Sequence, residues 1–581
     1  MQEFKGYGDP NPFEVDAKTK SRRRVAVLSI ASVVLIAIIV SVSVAAVRAQ
    51  LGGKKGHTDT SNIATSSAIN ATCAATLYPE TCVSSLSSYP GASEAGPKDL
   101  VGIAVAVAMD GAEQALSVVS DLRQGSNVDT YQQLELENCQ DFLGDTIEQL
   151  NSSLLELKNL DVESLKQPYG DVKTWLSASL TDLDTCLDGL PPQPTSNDVE
   201  TRVQSTVLNL TELVSNSLAI VNKIADVLTN LNISIPTRRL LSSRGDFPAW
   251  VSAADRKLLK SDELKPDVIV AVDGSGDYRS IQDAVNAAPI KSKVRFVIKV
   301  KAGVYEEYVQ VSKNKTMLMM VGDGMDSTIV TGSKNVIDDT TIRTFGTATF
   351  AAVGNGFIAK DMQFRNTAGP SKHQAVALRV SSDKSIFVGC KICAYQDTLY
   401  VYKQRQYFGD CWVSGTVDFI FGNAAVVLQK CSIVARLPGA NQENTITAQG
   451  RTDPNQNTGI SIHNCTITGE TDLIPVKSNF PTYLGRPWKA YSRTVFMQSE
   501  MDDIIDQAGW LAWDGNFALD TLFYGEYDNS GPGANTANRV NWPGLKTIIS
   551  KDEAQKYTVE ELIGSSWVEE ARVDHTNGLT E

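Results

Sequence analysis

Histidine is scarce in this 581-residue chain: only His57, His373, His463 and His575 occur, far apart in sequence. No HExxH, no CxxC…CxxC and no other ligand-spaced cluster joins them, which argues against a zinc or iron centre. Cys390 and Cys393 form a lone CxxC with no second pair, and read as ordinary buried thiols. There is no GxxxxGK[ST] phosphate loop and no GxSxG nucleophile elbow. Basic residues are in deficit, 53 Lys and Arg against 67 Asp and Glu, a net charge of −14. A general nucleic-acid binder would show the opposite balance, so no nucleic-acid partner is expected. If the chain is an enzyme, carboxylates must do the work.

With 42% hydrophobic and 21% charged residues the chain is long and apolar enough for two or more cores. Its charge is uneven: residues 60–237 carry 7 basic and 23 acidic side chains, net −16, whereas residues 260–500 carry 27 and 22, net +5. Residues 25–47 hold no charge; as a helix they would span about 34 Å, enough for a bilayer core of about 30 Å. Lys18, Lys20, Arg22, Arg23 and Arg24 precede them, so the positive-inside rule leaves residues 1–24 in the cytosol and sends the rest across the membrane. A cleaved signal has a shorter apolar region, about 7 to 15 residues, nearer the terminus, which favours a signal-anchor. Six sequons, at Asn70, Asn151, Asn209, Asn232, Asn314 and Asn464, fit a secretory route. An oxidising lumen would pair Cys73, Cys82, Cys139 and Cys186, though spacing alone leaves the pairing open.

Apolar residues recur at three- and four-residue intervals from about Asp99 to Leu231, most clearly at Val203, Val207, Leu210, Val214, Leu218, Val221, Ala225, Leu228 and Leu231. Shorter runs cover 99–122, 131–157 and 170–187, with Pro191, Pro192 and Pro194 before the last helix. The pattern predicts an all-α four-helix bundle. A basic linker follows, with Arg238, Arg239, Leu240 and Leu241 and then Arg256, Lys257, Leu258 and Leu259, an arrangement open to proteolysis. From Val268 short strands bounded by Gly, Asn or Asp take over, without helices of βαβ length, which suits a sandwich, a barrel or a parallel β-helix. Gln374, Gln396 and Asp418 lie 22 residues apart, and in a β-helix such positions would stack on one face.

The stretch from His373 to Gln429 concentrates amides, carboxylates and aromatics. Asp397 and Asp418 would lie on adjacent coils, where two close carboxylates cannot both ionise cheaply, so that one keeps its proton as an acid and the other acts as nucleophile or base. Gln374 and Gln396 would add N–H donors suited to an oxyanion. Arg486 and Trp488 offer a guanidinium for a carboxylate and an indole for a sugar face. The same residues could also be coil corners and a structural ion pair.

Seven motifs carry a resemblance: GVYEE (303–307), TATF (347–350), KHQAVALR (372–379), YQDTLY (395–400), GTVDFIFGNAA (415–425), TAQGR (447–451) and YLGRPWK (483–489). In this order they resemble the plant pectin methylesterase (pectinesterase) family over 267–567. Residues 70–231 resemble the invertase/pectin methylesterase inhibitor domain that precedes it as a pro-region. The resemblance implies an all-β right-handed parallel β-helix that hydrolyses the C6 methyl ester of galacturonate in pectin, with no metal or other cofactor. It implies Asp418 as nucleophile, Asp397 as proton donor and later base, and Gln396 and Gln374 as oxyanion donors. Arg486, Trp488, Thr344 and Gln374 would bind substrate, and Tyr400, Phe421 and Trp510 would line the sugar groove. It also implies disulfides Cys411–Cys431, Cys73–Cys82 and Cys139–Cys186, with Cys390, Cys393 and Cys465 free.

The implied organisation is a cytosolic tail (1–24), a transmembrane signal-anchor (25–47), an inhibitor-like helical pro-domain (60–236), a linker with RRLL and RKLL processing sites (237–265) and the pectinesterase β-helix (266–581). The expected partners are pectin, a subtilisin-like processing protease, a proteinaceous inhibitor of the pro-domain's fold, and a membrane before processing. The precursor would be membrane-anchored in the secretory pathway and the mature form would reside in the cell wall. The acidic pro-domain would cover the slightly basic catalytic face and hold it inactive. There are departures: Val401-Tyr402-Lys403-Gln404 replaces the common histidine-serine pair, Cys393 stands where a bulkier or acidic residue is usual, and Tyr308 replaces a common asparagine. Two other readings share these residues: a glycosidase using the carboxylate pair, and a regulatory bundle attached to a pectin-binding solenoid.

Overall fold

The computed structural model describes residues 68–125, 130–158, 166–190, 198–230, 265–571 and 573–580, arranged as two compact units. The first comprises Met1–Gly111, Ser153–Val172 and Glu212–Arg239; the second comprises Ala112–Ser152, Lys173–Thr211 and Leu240–Glu581. The proposed tail and anchor (1–47), the RRLL and RKLL sequences (238–241 and 256–259) and Asn232 lie outside the described residues. The other five sequon asparagines are exposed.

The N-terminal region is helical where the apolar spacing predicts: α1 (Pro79–Ser88), α2 (Pro97–Arg123), α3 (Thr130–Lys158), α4 (Lys166–Asp188) and α5 (Asp198–Asn230). On α5, Val203, Val207, Leu210, Val214, Leu218 and Val221 are all buried, one stripe at helical spacing. In the first unit Cys73 and Cys82 are bridged. There Asn216 of α5 donates to the Tyr78 carbonyl (2.9 Å) and accepts from its N–H (3.3 Å). In the second unit the Cys139–Cys186 bridge ties α3 to α4. Gln149 of α3, buried, donates to Asp182 (3.1 Å) and accepts from Ser179 (2.8 Å), both on α4.

From Val268 the strands form three sheets of eleven, eight and seven strands. Every strand pairing is parallel and, apart from the first two strands and the last two, which neighbour each other in the eleven-stranded sheet, successive strands visit different sheets, so the chain winds as a right-handed parallel β-helix rather than a sandwich or an up-and-down barrel. Leu378 pairs with Leu399 and Leu399 with Ile420, which makes the local coil 21 residues, not the 22 that the glutamine spacing suggests. Inward positions build one continuous apolar core in which aromatic rings stack between coils; Phe387 and Phe408 lie 4.8 Å apart and 8° from coplanar.

One end of the solenoid is closed by the short helix Ile281–Ala287, whose Ile281, Ala284 and Val285 enter the core. Glu307 of GVYEE accepts from the Ile281 N–H (2.8 Å), the Gln282 N–H (3.1 Å) and the Ser280 hydroxyl (2.7 Å), so it satisfies donors that a helix start leaves unpaired. Near the C-terminus Val559, Ile563, Trp567 and Val568 cover the outer face of the eleven-stranded sheet.

The expected Cys411–Cys431 disulfide is not formed. Cys390, Cys411, Cys431 and Cys465 are all buried free thiols. On successive coils Cys411, Cys431 and Cys465 each direct sulfur to two backbone carbonyls, one two residues back and one on the preceding coil, at 3.3–3.5 Å. The sulfurs thus repeat as a ladder in which each S–H has a carbonyl acceptor, and no pair is singled out for bonding. Cys393 is also free, as expected.

Candidate active site

Gln396 and Asp397 lie in the turn between strands Lys391–Cys393 and Leu399–Val401, and Asp418 lies in the equivalent turn before Ile420–Gly422. Each aspartate stands two residues ahead of its strand, so the 21-residue register stacks Asp418 on Asp397. Both have left-handed backbone, φ 63° and 51°, a conformation that Asp tolerates better than most residues. Gly422 closes the DFIFG turn at φ 127°; a Cβ there would lie 2.2 Å from the Val401 carbonyl oxygen, so only glycine fits.

Asp418 is buried and fully engaged. Arg486 donates from Nε to Oδ1 (2.8 Å) and from Nη2 to Oδ2 (2.7 Å), the bidentate geometry that holds a carboxylate most firmly. Thr445 donates its hydroxyl to Oδ1 (2.7 Å) and accepts from the Asp418 N–H (2.8 Å). The guanidinium lies 4.5 Å over the Trp513 ring. Burial works against the Arg486 charge and lowers its pKa, but the Asp418 hydrogen bond and charge, with the Asp397 charge behind them, outweigh it and hold the pKa above the usual arginine value. Asp397 stands in contrast: burial, and then the Asp418 charge, push its carboxyl well above the ordinary range, with Arg486 opposing. One carboxylate is thus paired with a cation, while its neighbour, buried beside it, is biased toward its neutral form.

These groups open onto a cavity of about 470 Å³ whose walls include Thr344, Gln374, Gln396, Asp397, Tyr400, Asp418, Phe421, Arg486 and Trp488. The side-chain amides of Gln374 and Gln396 reach it without a hydrogen-bond partner among the described residues. Tyr400 and Phe421 stack 4.2 Å apart at 19°, with Trp488 5.9 Å from Phe421. Every site residue expected from the sequence is brought together here except Trp510. That ring is 1% exposed, stacks on Tyr524 at 4.1 Å and donates to Glu526 (3.2 Å), as part of the core. Trp513, three residues on, takes the place at the cavity. Thr445, Phe345 and Trp513 were not legible as site residues; Thr445 lies only two residues ahead of TAQGR, but a lone threonine carries no signal of its own.

The same second unit brings α3 and α4 over the cavity. Leu134, Glu135, Asn138 and Phe142 of α3, and Thr185 and Asp188 of α4, complete its lining, and Phe142 meets Phe345 edge-on at 5.1 Å. Lys403 Nζ donates to both oxygens of Asp182 (2.8 and 2.7 Å) and to Asp145 (3.0 Å). Tyr402 donates its hydroxyl to Asp182 (2.9 Å). Lys489 donates to both oxygens of Asp188 (2.9 and 2.8 Å) and lies 3.0 Å from Asp184. Asn423, beside the DFIFG turn, donates to Thr181 (2.9 Å), Gln456 to the Ser177 carbonyl (3.0 Å) and Asn457 to Thr174 (3.0 Å). Thr174, Ser177, Thr181, Asp184, Thr185 and Asp188 recur every three or four residues, one face of α4. That small, polar face is why an otherwise ordinary helix buries so many hydroxyls and acids.

The carboxylate pair, the amides and the aromatic walls thus meet at one cavity of the solenoid. Residues 267–566 match the family described as Pectinesterase, and residues 67–220 match Plant invertase/pectin methylesterase inhibitor. The tomato (Solanum lycopersicum) Pectinesterase/pectinesterase inhibitor U1 is 43% identical over 571 residues, 96% of this chain and 97% of its own. Pectinesterase/pectinesterase inhibitor 3 of Arabidopsis thaliana is 41% identical, over 98% of this chain and 99% of its own. The solved pectin methylesterase from carrot is 59% identical with a TM-score of 0.54, and its whole chain corresponds to 55% of this one. The chain belongs to the pectinesterase family, carboxylic ester hydrolases, and carries an inhibitor-type helical region ahead of its β-helix.

Proposed function

We propose that the chain hydrolyses galacturonate C6 methyl esters in pectin, releasing methanol, with Asp418 as nucleophile and Asp397 as acid and then base. The observation that carries this reading is the unequal pair: Asp418 clamped by Arg486 and Thr445, with a buried Asp397 whose pKa is raised beside it. Ionised Asp418 attacks the ester carbonyl carbon, and the Gln374 and Gln396 amides take the oxyanion. As the tetrahedral adduct collapses, the C–OCH3 bond breaks and Asp397 gives its proton to the leaving methanol. Asp397, now a carboxylate, removes a proton from water as it attacks the acyl–Asp418 anhydride. Collapse returns Asp418 as carboxylate, Asp397 as acid and the substrate as galacturonic acid, which gives its proton to solvent and leaves as galacturonate. Thr344 and the rings of Tyr400, Phe421 and Trp488 are placed to hold sugar faces.

The helical region is read as an autoinhibitory pro-domain, supported by the α3 and α4 residues in the cavity lining. The precursor would cross the membrane through 25–47, be cleaved by a subtilisin-like protease within 237–265, and release residues 266–581 to the cell wall. Methanol release from highly methylated pectin by residues 260–581, beside Asp418→Ala and with reducing ends counted, tests the reading. Methanol from the wild type alone, with polymer length unchanged, is the expected result; new reducing ends would mean a glycosidase. A folded fragment that binds pectin without releasing methanol would move the function to the helical region.

A further inference from the structure

A second cavity, of about 380 Å³, opens on the outer face of the eight-stranded sheet. It shares no lining residue with the cavity of Asp397 and Asp418, and among the described residues none of the helical region lines it. Three successive coils build its floor. Gln363, Lys391 and Trp412 stack in one row, and Arg365, Cys393 and Ser414 in the row two residues on. Arg436 and Tyr395 stand at its side, the guanidinium 3.9 Å from the centre of the ring. Two groups there are surplus to the needs of the fold. Gln363 is 6% exposed and its neighbours Met362 and Phe364 enter the core, so its amide points the other way, to the cavity, where it has no hydrogen-bond partner among the described residues. Buried amides are almost always paired. Arg365 donates from Nε to the Thr331 hydroxyl (3.3 Å), but among the described residues no carboxylate pairs with it. Lys391, 5.6 Å from the Trp412 ring centre, is paired with Asp326, and Arg436 with Glu470. Of these two acids only Glu470 lines the cavity, against three cations.

We propose that this cavity is a second polysaccharide site, remote from the reacting carboxylates, which takes an acidic sugar residue of the polymer. Guanidinium donors suit a sugar carboxylate, the Gln363 amide suits a hydroxyl beside it, and the Trp412 and Tyr395 rings offer faces to a pyranose. The choice of galacturonate as that sugar rests on the esterase reading above; the affinity of the cavity for a uronate does not. Because the two cavities lie on different sheets, one short oligomer cannot fill both. A long strand can reach round the solenoid and be held at both places. The second contact then raises the effective concentration of esters at the cleft without adding any contact there. The site does not depend on removal of the helical region, so the uncleaved chain binds the polymer too.

The test compares residues 260–581, the part that corresponds to the whole carrot chain, with its Arg365→Gln and Trp412→Ala variants. Methanol release is followed on long, partly methylated pectin and on a short methylated oligogalacturonate that fills the cleft alone. Each variant is expected to raise KM on the long polymer about tenfold, the effect of one charge-assisted hydrogen bond or its equivalent in ring contact. The value of kcat stays unchanged, as do both constants on the oligomer, which also shows that the variants are folded. An unchanged KM on the polymer overturns the proposal, and an equal rise on the oligomer overturns it by assigning the residues to the cleft. Calorimetric titration of the full chain, whose cleft is lined by α3 and α4, with unmethylated oligogalacturonate reads the site without turnover. Wild type is expected to bind about tenfold more tightly than Arg365→Gln, and equal affinity overturns the proposal, as does equal binding of a neutral oligosaccharide of the same length. If residues 260–581 release no methanol while the calorimetric difference persists, it is the esterase reading that has failed and the second site stands.

Discussion

Arg486 lies on a different strand turn from Asp418, yet grips both of its carboxylate oxygens, at 2.8 and 2.7 Å. A planar fork does this and a single ammonium does not. Arg486→Lys should therefore lower kcat by about ten- to a hundredfold, even though charge is conserved. Steady-state methanol release checks it, and a variant of wild-type rate would mean that the clamp is only structural.

Gln396 and Gln374 present amides with no hydrogen-bond partner among the described residues, which suits donors reserved for a charge that exists only during reaction. Removal of one, as in Gln396→Ala, should cost about a hundred- to a thousandfold in kcat and leave KM nearly unchanged. An equal rise in KM would instead mark the amide as a ground-state binding group.

In the uncleaved chain Lys403→Gln leaves Asp182 buried without its cation. Breaking such a pair from one side typically costs about 3–5 kcal/mol. The full-length variant should hydrolyse pectin several-fold faster than the full-length wild type. Equal rates would show that the α4 contact does not limit access.

Lys403 and Lys489 each face two carboxylates of the helical region, and Asp145 is shared with Lys313. Asp182 and Asp184 are accordingly pushed up to about 6, first by burial, with Asp145 and Asp188 adding to the shift and Lys403 and Lys489 opposing it. A carboxyl with a raised pKa in the covered state takes up a proton on covering. Its contribution is complete below the ordinary value of 3.8 and is lost as pH rises through about 6. Asp145, held by Lys403 and Lys313 against its own burial, is shifted downward, and its contribution disappears only as pH falls below the ordinary 3.8. The rate of the full chain relative to residues 260–581 should thus rise between pH 5 and pH 7. A ratio that is flat or falls over that window contradicts the assignment.

Four of the nine cysteines are bridged and Cys390, Cys393, Cys411, Cys431 and Cys465 are thiols. Alkylation after unfolding without reductant should label those five, read by peptide mass spectrometry. A Cys411–Cys431 peptide pair recovered intact would restore the bridge that the resemblance implies.

The helices and the short strands were legible from apolar periods written along continuous stretches, whereas the solenoid was legible only from the repeated spacing of about 22 residues and from the motifs that carry the resemblance. The aspartates, glutamines and Arg486 were legible through their motifs. Trp510 and Trp513 were not separable: both are tryptophans three residues apart, and only the winding of the chain decides that the first stacks on Tyr524 while the second meets Arg486. Asp397 and Asp418, 21 residues apart, follow the register of their coils, whereas Gln374, Gln396 and Asp418, 22 apart, miss it by one residue. Thr445 and the polar face of α4 stayed hidden because their partners are up to 305 residues away in sequence, as for Asp184 and Lys489.

Coils that stack 21 residues apart give the β-helix a one-dimensional order of assembly: each turn finds its template in the turn just laid down, and little chain must be closed at any step. Such a process can also continue past its proper end, since a terminal coil offers its open edge to any other strand. The Ile281–Ala287 helix, fastened by Glu307, sits where the first turn would otherwise stay open. GVYEE thus serves as a terminator of growth, and loss of Glu307 should show itself as self-association of the chain before any loss of catalysis.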